Sequence, residues 1–231
     1  MMRLYIDDAN LSEIKRLIDL YPIDGVTTNP SILARSGGDP VKVLLDIRAL
    51  IGKDRILFAQ AIPTDCEGMI RDARAIVSLL GENTVVKLPS IPEGFKAMRL
   101  LKEEGITTCG TVVYTPLQAW LAARAGASYV APYVNRIDNM GYDGTETVKT
   151  IHDILSQDGT GCEILAASFK NSQQVLELAR YGIGCATCAP GVIDAFVKNA
   201  AIDAAVSDFV QDFEKLAGAG ANMADLIGTV R

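Results

Sequence analysis

A lysine interrupts the run Thr84-Val85-Val86-Lys87-Leu88-Pro89. The β-branched and apolar residues before it, and the proline that closes it, read as a buried strand of a parallel sheet. An ammonium in an apolar interior is either paired or gives up its proton, because its charged form is poorly solvated there. A neutral, desolvated lysine is a nucleophile toward carbonyl carbon and can form a Schiff base. The alternative is a lysine at the strand's mouth, its stem along apolar surface and its head in water. Lys87 alone does not separate the two, and the ends of the other strands bear on the choice.

Those strands recur about every 25 residues. Leu4–Ile6, Gly25–Thr27, Ile56–Ala59, Thr84–Pro89, Thr107–Thr111, Tyr129–Tyr133, Glu163–Ala167 and Gly184–Thr187 are strand-like and are separated by helical patterns. Asn10 and Glu13 have the spacing of a capping box, ahead of the apolar stripe Leu11, Ile14, Leu17 and Ile18. Further helices are expected at about 40–50, 66–80, 93–102, 145–155, 172–180 and 192–198, with another opening at Thr115-Pro116. Strands that alternate with helices are parallel, and eight such units fit a closed (β/α)8 TIM barrel in one domain, residues 1–231. An open doubly wound sheet is disfavoured, because no glycine follows the first strand where a phosphate loop would need one. Residues 200–231 lie beyond the eighth unit and read as a C-terminal helical extension. Its helix, 203–216, carries an apolar stripe that covers either this barrel or a neighbouring subunit.

In such a barrel chemistry sits at the C-terminal ends of the strands. Seven successive ends carry Asp7, Asn29, Gln60, Lys87, Thr111, Tyr133 and Ser168. Asp and Asn are ordinary turn residues, but Gln, Lys and Tyr are not. A ring of donors and acceptors around one amine is what carbinolamine and iminium chemistry requires. Tyr133, Gln60 and Thr111 could hold the water that serves as proton donor and acceptor. Asp7 could orient substrate hydroxyls or accept the C4 hydroxyl proton. Asn29 and Ser168 could bind a hydroxymethyl group. Arg136, three residues past Tyr133, meets either a phosphate or a surface carboxylate.

Composition narrows the alternatives. The 231 residues carry 22 Lys and Arg against 28 Asp and Glu, a net charge of −6. That argues against nucleic acid or an anionic membrane as partner, though an anionic small molecule can still meet a local cationic pocket. No apolar run approaches the roughly 20 residues of a membrane span. The N-terminal residues lack the pattern of a signal peptide, and five scattered cysteines read as reduced thiols, so a cytoplasmic protein is expected. The single histidine, His152, stands in a predicted helix, which removes Ser-His-Asp chemistry and multi-histidine zinc sites; no metal and no cofactor are expected. Cys185-x-x-Cys188 has redox spacing but no second pair, and buried structural thiols are the simpler reading.

The stretches Asp7 to Asn10, Gly25-Val26-Thr27-Thr28-Asn29-Pro30-Ser31, Phe58-Ala59-Gln60, Val85-Val86-Lys87-Leu88-Pro89, Gly105-Ile106-Thr107-Thr108, Ala131-Pro132-Tyr133-Val134-Asn135-Arg136 and Ala166-Ala167-Ser168-Phe169-Lys170 together resemble the transaldolase family in its short form. The resemblance implies that Lys87 is the Schiff-base residue and that Thr27 joins Asn29, Ser168 and Arg136 in binding substrate. Gln60 and Tyr133 resemble the fructose-6-phosphate aldolase branch, where this pair and a threonine matching Thr111 hold the catalytic water. Transaldolases proper typically show Glu and Phe there. Asp8, Ser90-Ile91 and Cys185 to Pro190 depart from the family pattern. The implied activity is a class I aldolase that cleaves the C3–C4 bond of a ketose phosphate such as fructose 6-phosphate. A transaldolase, a variant acting on a sulfonated sugar, and a phosphate-binding barrel without Schiff base are the alternatives. The implied partners are the sugar phosphate and further copies of the chain, in rings of five or ten.

Overall fold

The computed structural model describes residues 2–228. The elements run β1 (Arg3–Asp7), α1 (Leu11–Leu20), β2 (Gly25–Thr27), α2 (Pro30–Ser36), α3 (Pro40–Ile51), β3 (Ile56–Gln60), α4 (Cys66–Leu80), β4 (Thr84–Pro89) and α5 (Pro92–Glu103). They continue with β5 (Thr108–Val113), α6 (Pro116–Arg124), β6 (Tyr129–Pro132), α7 (Val134–Asp138), α8 (Gly144–Asp158), β7 (Glu163–Ala166), α9 (Ser172–Tyr181), β8 (Cys185–Cys188), α10 (Pro190–Asp194), α11 (Ala200–Ala217) and α12 (Met223–Gly228). The eight strands are all parallel and close into a barrel in sequential order, β8 pairing back onto β1. The expected (β/α)8 fold is therefore present.

Helix starts follow local chemistry. Asn10, Asn29, Asp39, Asp65, Asp143 and Asn171 each cap a helix by accepting backbone N–H groups that lack a partner within the helix. Asn10 caps α1 without the expected reciprocal bond from Glu13, which pairs with Arg16 instead. The capping box lies at Thr115 and Gln118, opening α6. At Gly25 a side chain would put its Cβ 2.1 Å from the Ile56 carbonyl oxygen, so only glycine lets β2 and β3 lie this close.

Strand alternation sorts side chains into two cores. Tyr5, Phe58, Val85, Cys109, Tyr129, Leu165 and Cys185 fill the barrel interior. Phe58 meets Tyr5 and Tyr129 edge-on, at centroid distances of 5.4 and 5.3 Å. The alternate residues, among them Ile6, Val26, Leu57, Val86 and Leu88, face outward and pack under the helices. Cys185 belongs to the interior set and Cys188 to the outer one, so the CxxC spacing places the two thiols on opposite faces of β8. Burial raises both thiol pKa values, that of Cys185 to about 11, as expected of inert core cysteines.

Three elements were not anticipated. The short helix α2 starts at Asn29-Pro30, ahead of the helix expected at about 40–50, α7 follows β6 at once, and α12 forms beyond the expected 203–216 helix. β5 runs to Val113, past the expected Thr111, and its register with β6 shifts between Gly110 and Val113. The chain forms two compact units, Met1–Ile193 and Asp194–Arg231. The second holds α11, in which no residue is buried and whose stripe includes Ile202, Val206, Phe209 and Val210. Among the described residues no helix is long and apolar enough to cross a membrane.

Candidate active site

Lys87 lies on the inward-facing register of β4, two residues past Val85, and its side chain points into the barrel. It is 4% exposed, and its Nζ donates to the Thr28 carbonyl at 3.0 Å. This is the buried outcome of the two that the sequence left open. A carbonyl holds an amine in place without the full compensation a carboxylate would give.

The nearby acid is Asp7, at the end of β1. Burial pushes its carboxyl above the ordinary aspartate range, while the Lys87 charge and a hydrogen bond from Thr27 pull it back. The Thr27 hydroxyl donates to Asp7 Oδ1 at 2.7 Å and lies 2.6 Å from Thr187 Oγ1. An ionised carboxylate only accepts, so Thr27 gives its one proton to Asp7 and must accept from Thr187. Two buried threonines thus form a donor chain aimed at one carboxylate. Thr27, assigned to substrate binding by resemblance, is fully buried and stands behind Asp7 rather than on the cavity wall.

Tyr133 follows β6, and its phenol oxygen lies 2.9 Å from Thr111 Oγ1. Thr111 is fully buried, so the phenol is the member of this pair that reaches the cavity. The Arg136 guanidinium stacks over the Tyr133 ring at 4.6 Å, and Tyr114 meets the same ring edge-on. Arg136 takes this position because α7 begins directly after Tyr133 and brings residue 136 back over it within one turn. A hydrogen bond to Tyr114 raises its pKa.

The residue after Thr111 is unusual. Val112 has φ +61°, a left-handed conformation that strongly disfavours β-branched side chains. It sits within the register shift of β5, where the extra residue breaks the alternation. Gln118 Nε2 donates to the Val112 and Ser90 carbonyls at 3.3 and 3.2 Å and holds the bulge in place. Ser168, with φ +61°, is similarly irregular, and its side chain borders the cavity.

The cavity has a volume of about 110 Å³. Of the residues named from the sequence, Asp7, Asn29, Lys87, Tyr133, Arg136 and Ser168 line it. Asn29 Oδ1 is taken up in capping α2, accepting from Ile32 N at 3.0 Å, so its Nδ2 group is what it can offer a ligand. Gln60 is paired in register with Lys87 yet lines another depression, between α2, α3 and α4. The structure therefore gathers eight of the nine residues at one end of the barrel, as cavity wall or immediate support, and leaves Gln60 on the neighbouring groove. Sequence reasoning missed Ser31, Arg35 and Thr187, which also line the cavity. Thr187 was legible as the end of an eighth strand. Arg35 required recognising that Asn29-Pro30 starts a helix. Asp7 is the one carboxylate on the wall, against Lys87, Arg35 and Arg136. A chain of net charge −6 thus concentrates positive charge at this cavity.

A closed parallel barrel with an inward lysine at the end of one strand and polar groups at the ends of the others defines a (β/α)8-barrel enzyme. The model of the Transaldolase/Fructose-6-phosphate aldolase family matches residues 4–230. A probable transaldolase of Hydrogenobaculum sp. (strain Y04AAS1) is 40% identical over 215 residues, spanning 93% of this chain and 98% of that relative. Another from Clostridium botulinum (strain Eklund 17B / Type B) is 40% identical over 213 residues, with 92% and 98% coverage. The chain belongs to the transaldolase/fructose-6-phosphate aldolase family. Solved structures at low identity share the fold alone. A designed cube-shaped protein cage built from fused oligomeric domains gives a TM-score of 0.61 at 16% identity, with 99% of this chain and 90% of that one covered. A structure described as native KDPGal gives 0.57 at 15% identity, with 81% and 82% covered.

Proposed function

We propose that the protein is a class I aldolase acting on fructose 6-phosphate. The observation that carries the reading is the Tyr133–Thr111 hydroxyl pair, 2.9 Å apart, on the cavity that holds the Lys87 amine. The neutral amine attacks the C2 ketone and gives a carbinolamine. Loss of water, with a proton supplied through a water on the Tyr133 hydroxyl, leaves the iminium. Asp7 takes the C4 hydroxyl proton, the C3–C4 bond breaks, and its electron pair passes to C3 as the enamine forms. Glyceraldehyde 3-phosphate departs. Protonation at C3 and attack of water on the iminium then release dihydroxyacetone and restore the amine. A phenol that keeps a water beside the iminium favours this last hydrolysis, which is the step that makes an aldolase.

The transaldolase reading is favoured by a different observation, the 40% identity to relatives named probable transaldolase. In that reaction the enamine survives until an aldose phosphate arrives, and dihydroxyacetone is not released. Free dihydroxyacetone formed from fructose 6-phosphate alone is the expected result. Turnover only on addition of an acceptor such as erythrose 4-phosphate decides for the transaldolase. Tyr133→Phe should lower aldolase turnover by ~10²–10⁴, the range typical of losing a proton-transfer group. A variant that still releases dihydroxyacetone at the original rate would remove the phenol from the mechanism.

A further inference from the structure

We propose that Gln118 is a positioning residue. It fixes the Thr111–Tyr133 hydroxyl pair, and through that pair it governs the steps in which water leaves and enters at the Schiff base. The inference rests on the Schiff-base reading of Lys87 and adds the residue that holds its proton-transfer group in place.

Gln118 is the third residue of α6 and is not on the cavity wall. Its carboxamide meets four backbone groups. Oε1 accepts from the N–H groups of Tyr114 and Thr115 at 3.0 and 3.2 Å, and Nε2 donates to the Ser90 and Val112 carbonyls at 3.2 and 3.3 Å. A glutamine has two amide protons and two carbonyl lone pairs, so all four are used. Capping α6 needs only the oxygen, and a glutamate serves a capping box equally well. The two donated bonds are therefore work beyond the cap.

Both carbonyls belong to the peptides around Thr111. Val112 follows it directly, in the left-handed conformation at φ +61°. Such a residue persists only where its surroundings over-determine it. Ser90 follows β4, the strand of Lys87, and its N–H donates to the Thr111 carbonyl at 2.8 Å. Thr111 is thus held on one side by Ser90 and on the other by the Val112 peptide, with Gln118 bonded to both. The oxygen side of the same amide holds Tyr114, whose ring meets Tyr133 edge-on at 5.6 Å. Between them, the Val113 carbonyl accepts the Tyr133 N–H at 3.1 Å. One side chain therefore braces the approach of both hydroxyls. They lie 2.9 Å apart, and a displacement of about 1 Å would take them out of hydrogen-bond range.

The test compares wild type with Gln118→Leu, Gln118→Glu and Val112→Gly, each alone and combined with Tyr133→Phe. Gln118→Glu keeps the cap and loses the two donated bonds. Val112→Gly loosens the same segment while Gln118 stays, so it serves even if neither Gln118 variant folds. The first readout is the rate at which dihydroxyacetone forms a borohydride-trappable iminium. The second is the fluorine NMR signal of Tyr133 in 3-fluorotyrosine-labelled protein, assigned by its absence in Tyr133→Phe. We expect each single variant to slow iminium formation, Gln118→Leu by roughly 10–100-fold, the cost of a misplaced catalytic group. The Tyr133 signal should move or broaden in each. In the Tyr133→Phe background the same changes should alter the rate by less than about twofold, because residues that act as one unit are not additive. Full additivity with Tyr133→Phe would make Gln118 an ordinary structural residue and overturn the inference, and so would an unmoved Tyr133 signal in folded variants. Wild type that forms no trappable adduct, with the Tyr133 signal still moved by the variants, sinks the Schiff-base reading and leaves the bracing of the hydroxyl pair standing.

Discussion

Replacing Thr27 by valine removes one hydroxyl and keeps the shape of the side chain. Thr27 is fully buried, donates to Asp7 Oδ1 at 2.7 Å and lies 2.6 Å from Thr187 Oγ1. A hydrogen bond to a charged group contributes about 1.5–3 kcal/mol. The bond favours the ionised form of Asp7, so its loss raises a carboxyl pKa that burial already holds high. At 1.36 kcal/mol per unit, the further rise is about 1–2 units. The assay is kcat/KM for fructose 6-phosphate across pH 4.5–9, whose acid limb reports the free enzyme's base. That limb should move up by about 1–2 units in Thr27→Val and stay in place in Thr27→Ser. The same shift has a stability consequence of fixed sign. Asp7's folded-state pKa lies above its unfolded value, so its favourable contribution is complete below the unfolded pKa and is lost as pH rises through the folded one. Thr27→Val extends that loss, and its melting-temperature deficit should grow with pH toward roughly 3–12 °C at pH 8, taking about 2–4 °C per kcal/mol for a chain of this size. A folded Thr27→Val protein with an unmoved acid limb and a pH-independent deficit would refute the reasoning.

Lys87→Met should abolish both turnover and the borohydride-reduced dihydroxyacetone adduct while melting within a few degrees of wild type, because an unbranched apolar chain of similar volume replaces a buried amine; an adduct on another lysine, such as Lys170, would move the chemistry elsewhere. Val112→Gly should melt within about 3 °C of wild type or above it, since relief of a left-handed β-branched residue offsets the entropy of glycine. Val113→Gly, one residue on in a fully buried side chain, should lose several times more, and similar losses at the two positions would show that Val112 is not strained. Full-length protein should sediment as a ring of five or ten chains, and truncation after Lys198, which removes the apolar stripe of α11, should reduce it to smaller species; a full-length monomer would end that proposal.

The order of the elements was legible because burial imposes a period on each strand and helix. Val85, Val86 and Leu88 pack against both faces of a parallel sheet, and the positions of Pro and Asn mark where helices open. Lys87, Asp7, Tyr133 and Ser168 were legible as strand ends, because a closed barrel collects such ends at one face whatever their distance in the chain. Arg35 was illegible for the opposite reason. Its approach depends on α2, a seven-residue helix too short to show a period, and on β2 lying opposite β6.

The sequence by itself determined the composition of the site: one amine on an apolar strand, one acid at the end of the first strand, and a surrounding set of hydroxyls and amides. Which of them meet was decided by the tertiary structure. Thr27 and Thr187 are 160 residues apart, and only closure of β8 onto β1 brings their hydroxyls to 2.6 Å. Thr111 reaches Tyr133 across a strand whose register shifts at a left-handed valine, a conformation no residue preference would assign to Val112. Gln60 is the converse case. It has the residue type and strand position of a site residue, yet it lines the groove beside α4. Side-chain period fixes the face of the sheet a residue takes; the stagger between strands and the helices beyond them fix which cavity it meets.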